Sequence, residues 1–132
     1  MVTNLEVIDM EIRTFADMTL VIQVTGFIIL ISAVIYAKKR NLLRHFTLAR
    51  ISVSLGVIAF IWMGFSFISY VPTNVSSLII GHMIFGIPAL LIGILYAFDM
   101  IEKTKIRMRF VFILWTMAIF AGVALYFHNY VT

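Results

Sequence analysis

The chain has 132 residues, about one domain's worth, with a formal net charge of +4; 63% of it is hydrophobic and 12% charged. Such a balance excludes an ordinary soluble globular domain. The absence of cysteine excludes disulfides, thiolate metal sites, iron–sulfur clusters and covalently attached haem.

The first seventeen residues carry Glu6, Asp9, Glu11, Arg13 and Asp17, unlike the basic start and apolar middle of a cleavable leader. Leu5, Ile8, Ile12 and Phe15 recur at helical spacing. The preferred reading of this stretch is an extension of the first spanning helix; a separate amphipathic turn is the alternative. A spanning helix needs an apolar run of about 18 residues or more. Residues 18–37, 51–98 and 110–132 carry no Asp, Glu, Lys or Arg, and "VPTN" at 71–74 divides the long central run. Four helices are expected, over about 16–37, 42–70, 76–99 and 107–129. Their short connections make neighbours antiparallel. The expected fold is all-α, a single membrane domain over 1–132 built as a four-transmembrane-helix antiparallel bundle.

Charge placement sets the expected topology. Lys38, Lys39, Arg40, Arg44 and Arg50 follow the first helix, and Lys103, Lys105, Arg107 and Arg109 precede the fourth. By the positive-inside rule the loops at 38–42 and 100–107 are cytoplasmic, and both termini lie on the outer side. The chain is therefore expected to cross the cell membrane several times. Its basic residues are read as topology determinants, with no nucleic-acid partner implied. "GFIILISAVIYA" at 26–37 and "GIPALLIGILYA" at 86–97 are alike. A duplicated helical hairpin would explain that likeness, and so would chance within a restricted alphabet.

Helices in lipid associate through close packing at small residues. Such stripes are read at Gly26, Ala33 and Ala37 in the first helix, with Gln23 one turn before. The second has His45, Ala49, Ser52, Gly56, Ala59, Met63 and Ser66. The third has His82, Gly86, Ala89, Gly93 and Ala97, and the fourth has Ala121, Ala124 and His128. Each histidine falls on such a face, so all three imidazoles are expected to point into the bundle. Ionisable residues inside a membrane are functional candidates, and small neighbours leave room for a flat group such as a porphyrin. The ends of a spanning helix lie about 30 Å apart, so His45 cannot share a metal with His82. His82 and His128, at similar depth, are candidate axial ligands of one haem b, and His45 is a further candidate ligand, with Met108 or no partner. The competing reading of the histidines is interhelical hydrogen bonding and interfacial anchoring. Arg50 is read as snorkelling to headgroups, with a haem propionate or Asp99 as alternative partners. No carboxylate lies mid-membrane, and no hydrolytic or phosphate-binding motif occurs.

Over roughly 40–126 the chain resembles the small four-helix bacterial and archaeal membrane proteins of the DUF420 type, some of them linked to haem–copper oxidase assembly. The resemblance rests on "NLLRHFTLAR", on "GHMIFGIPALLIGILYAF" and on "ILWTMAIFAGVALY" with Trp115, Gly122 and Tyr126. It implies His45 and His82 as functional positions. The family also leads one to expect a histidine in the basic turn before the fourth helix, and "EKTKIRMR" has none.

The expected function is non-enzymatic: an accessory subunit or assembly factor of a respiratory-type, oxidase-like membrane complex. Its partners would be the lipid bilayer and other membrane subunits or further copies of the chain. The alternative is a b-type haem electron carrier.

Overall fold

A computed structural model describes residues 3–69 and 77–130. Four helices account for nearly all of them: α1 (Asn4–Lys38), α2 (Leu42–Ser69), α3 (Ser77–Ala97) and α4 (Lys105–Tyr130). All four are long and apolar enough to cross a membrane. The "VPTN" break at 71–74 lies outside the described residues, as does the side chain of Ser66.

α1 begins well before residue 16, so the acidic N-terminal stretch is a continuous helical extension. Its start is a capping box. Thr3 Oγ1 accepts from the Glu6 amide at 3.2 Å, and the Thr3 amide donates to Glu6 Oε2 at 2.7 Å. At 35 residues α1 is roughly 52 Å long, more than a bilayer core of about 30 Å requires. α1 and α3 end alike. Arg40 and Asp99 take left-handed backbone angles, φ 59° and 55°. The next amides, of Asn41 and Met100, return to the carbonyls of Tyr36 and Leu95 at 2.9 and 2.8 Å. These are Schellman closures. α3 continues through Pro88 without interruption.

Polar side chains within the helices are mostly satisfied locally. Thr14, Thr19, Ser54 and Thr116 each donate to the carbonyl four residues back. Ser52 is different: it is fully buried and its hydroxyl crosses to Gly26 O on α1 at 2.8 Å.

α1 packs most extensively on α2, and α3 on α4; the contacts of α1 with α4 and of α2 with α3 are shorter. Within the first pair Gly26, Ala33, Ser52 and Ala59 are buried, and within the second Ala89, Gly93, Trp115 and Ala118. The expected stripes of α1, α2 and α3 therefore do face protein. The Arg50–Asp99 ion pair and Lys103 Nζ, 4.4 Å from the centre of the Phe46 ring, bring both basic turns to one end of the bundle.

The α4 stripe is a correction. Ala124 and His128 are exposed and Ala121 is half-buried. The inward face runs instead through Trp115, Ala118 and Gly122, about 100° away, since each residue advances a helix by that angle. Trp115 explains the rotation. Its indole lies in a notch formed by Gly56 on α2 and Gly93 on α3, joining three helices. A Cβ on Gly56 would stand 2.9 Å from Trp115 Cζ2, and one on Gly93 3.0 Å from Cζ3. The largest side chain on α4, not its alanines, fixes how the helix is turned.

Gly56→Ala and Gly93→Ala are thus expected to destabilise the protein by about 1–3 kcal/mol through overpacking. Trp115→Phe should relieve part of that cost in either double variant. Gly64 has nothing within 4 Å of an added Cβ, so Gly64→Ala should raise stability by about 0.5–1 kcal/mol. Thermal unfolding in detergent reads all three, and a stabilising Gly56→Ala would contradict the notch.

Candidate functional site

Between the two helix pairs lies a cavity of about 710 Å³. Gly26, Ser52, Gly56, Ala59, Gly86 and Ala89, all expected from the sequence as packing positions, lie on its wall. The small residues that let each pair close thus also leave space between the pairs. Among the described residues, no Asp, Glu, Lys or Arg lines it. Gly93 lies instead in the Trp115 notch, and Ala121 is not on the wall.

His82 is the imidazole on this wall. Its Nδ1 is 2.8 Å from Ala118 O on α4. A carbonyl oxygen only accepts, so Nδ1 carries the proton; in the neutral form of such a ring Nε2 would keep its lone pair. The ring can lie against α4 because residue 122 is glycine: a Cβ there would stand 3.0 Å from His82 Cε1 and 3.2 Å from Gln23 Oε1. Residues of α1, α3 and α4 therefore converge on one point. Gln23 Nε2 donates to Met63 Sδ at 3.3 Å, which ties α1 to α2. Further along the same wall, the Tyr126 hydroxyl donates to the Asp17 carboxylate and joins α4 to α1.

His45 lies elsewhere. It is buried at 6% exposure beside the 39–41 turn, and its Nδ1 donates to Ala33 O on α1 at 2.8 Å. Its Nε2 is buried without a hydrogen-bond partner. His128 is exposed and absent from the cavity wall. Two of the three expected inward imidazoles therefore point inward, at separate places, and the structure does not bring His82 and His128 together. Arg50 has the alternative partner read from the sequence, Asp99 at 3.4 Å, in an exposed ion pair away from the cavity.

These placements bear on a haem. His82 has the Nδ1–H···O=C bond that orients metal-ligating imidazoles, with Nε2 as the remaining ligand atom. The second histidine is not on the wall, and neither is any cation to meet the propionates. Burying unpaired carboxylates there would be costly. The residues present do not fit a bis-histidine haem. Among the described residues no three His, Asp or Glu side chains form a cluster able to hold a metal ion.

The sequence reading missed Gly122, Trp115 and the Tyr126–Asp17 contact as parts of the site. Gln23, the one amide in the charge-free run of α1, was the visible signal for a polar contact inside the bundle. Comparison with protein-family models, curated proteins and solved structures gave no match.

At the turn end, outside the spanning segments, Asp99 meets Lys103 and Arg50. The hydrogen bond from Lys103 and then its charge hold the carboxyl below its ordinary value of 3.8, against an opposing effect of desolvation that outweighs the further lowering by the charge of Arg50. A depressed carboxyl contributes stability that is present above its unfolded value and is lost as pH falls through the folded one. Wild type should therefore lose some thermal stability as pH drops below about 4, and Asp99→Asn should lack that component. The effect is small because the group is exposed. Identical pH–melting curves for the two proteins would contradict the assignment.

Proposed function

We propose that this chain is a non-catalytic, multi-pass protein of the cell membrane that serves as an accessory subunit or assembly factor of a larger, respiratory-type membrane complex. The observation that carries the reading is how the imidazoles are used. His45 and His82 each donate Nδ1–H to a carbonyl of the neighbouring helix, the behaviour of groups that hold helices together. The resemblance to the DUF420-type proteins favours an oxidase-like partner. Two firmly packed pairs joined along shorter contacts suit a module that adjusts to a neighbour, and the exposed apolar flanks suit lipid and other membrane helices.

The same reading includes antiparallel neighbours with the termini outside and the loops at 38–42 and 100–107 in the cytoplasm. The contact pairs Phe15–Trp62, Gly26–Ser52 and Ala33–His45 support antiparallel packing of α1 and α2. Nine basic residues at one end support the sidedness.

Mild detergent extraction of the tagged protein from its native membranes is expected to recover it with larger membrane subunits that crosslink to it. Recovery of the chain alone, with no crosslinked neighbour, would overturn the accessory reading. The b-type haem carrier has one observation in its favour, the orientation of His82. Its test is the absorption spectrum of the same preparation, where reduced haem bands abolished by His82→Ala would establish it instead.

A further inference from the structure

We propose that the cavity between the two helix pairs binds an uncharged membrane lipid with a ring-borne hydroxyl, of the quinol class, whose O–H groups are accepted by His82 and Gln23. The volume of about 710 Å³ is that of a site for a drug-sized ligand. The absence of charged side chains from the wall selects against phosphate headgroups and carboxylates, which would be buried unpaired. An uncharged head on an apolar body meets that condition.

The hydrogen-bonding capacity of the wall narrows the class further. The hydroxyl protons of Thr19, Ser52 and Tyr126 are spent on Phe15 O, Gly26 O and the Asp17 carboxylate. His82 Nδ1–H is spent on Ala118 O. What converges beside Gly122 is the His82 ring, with Cε1 at 3.0 Å and Nδ1 at 3.2 Å from the point where a Cβ would be, and Gln23 Oε1 at 3.2 Å; with Nδ1–H spent, the acceptors these two side chains have to offer are Nε2 of the neutral ring and the amide oxygen. Trp115 and Asn129 also bring N–H donors to the wall, and Gln23 Nε2 gives one of its two N–H groups to Met63 Sδ; beside Gly122 two acceptors therefore face at most one donor, which favours a ligand that brings its own O–H, the reduced hydroxyl form over the oxidised carbonyl form.

Shape agrees. Gly56, Ala59, Gly86 and Ala89 give the wall flat surfaces on which a ring can lie. At the rim stand Phe60 on α2 and Met83 on α3, 46% and 44% exposed on the apolar exterior, and α2 and α3 meet along one of the shorter contacts. That side offers an isoprenoid tail a way into the surrounding lipid. The inference rests on the cavity alone, so its failure would leave the accessory reading intact.

Trp115 lines the cavity and reports on it once Trp62, the other tryptophan, is replaced in a Trp62→Phe background. The purified full chain in detergent would be titrated with a short-chain benzoquinol and with the matching benzoquinone. Saturable quenching is expected, with the quinol bound about threefold to tenfold more tightly, the worth of one net hydrogen bond. His82→Leu, and separately Gln23→Leu on a different helix, should each reduce that preference. Gly86→Leu should abolish binding of both forms while circular dichroism shows the helices retained. Absence of saturable quenching, equal affinity for the two forms, or a preference that survives both Leu substitutions would overturn the proposal. So would competition by dodecane as strong as that by the quinol, since the cavity would then take any apolar chain.

Discussion

The arrangement depends on polar side chains that reach across to a backbone carbonyl of the next helix. A helix carbonyl already accepts from its own i+4 amide and has a second lone pair to offer. To reach it, the neighbouring helix must come close, and small residues allow that. Ser52 meets Gly26 O, His45 meets Ala33 O and His82 meets Ala118 O, each at 2.8 Å. In lipid no apolar driving force draws helices together, and each such bond is worth on the order of 0.6–2 kcal/mol. They act as register pins: the bond forms only when the correct residues face each other.

The two pairs are then joined by other means. Trp115 enters the notch formed by Gly56 and Gly93, and Gln23–Met63 and Tyr126–Asp17 link further helices around the wall. Because the indole supports the pairs at one level, the space along the rest of their meeting faces stays open as the cavity. Packing and cavity share a cause: glycine and alanine let helices approach within a pair and leave volume where the pairs diverge. His82 belongs to both, holding α3 to α4 through Nδ1 and lining the cavity.

Much of this was legible in the sequence, for physical reasons. Uninterrupted apolar runs of this length suit helices able to span a bilayer, so the number of helices and their approximate limits followed from length and charge. The stripes of α1, α2 and α3 followed from the 3.6-residue period. α4 did not follow. Ala121, Ala124 and His128 fall on one face, yet the helix turns by the needs of Trp115, whose receptor is two glycines on other helices. No local pattern in α4 records that. The helical spacing of Leu5, Ile8, Ile12 and Phe15 made the extension of α1 through the acidic stretch legible, ahead of the apolar span that starts at about 16. A helix longer than the bilayer carries the acidic residues beyond it, closed by the Thr3–Glu6 capping box. The pairing of His82 with His128 failed because similar depth does not imply a shared face.

The account stands on His45 and His82 being proton donors to carbonyls through Nδ1, so the most direct test is the tautomer of each ring. Nitrogen-15 NMR of the histidine-labelled protein in lipid, with single histidine replacements for assignment, distinguishes protonated from unprotonated ring nitrogens. The account predicts that both rings carry the proton on Nδ1 and an unprotonated Nε2. Finding the proton on Nε2 at either position would contradict it, because Ala33 O or Ala118 O would then have no donor.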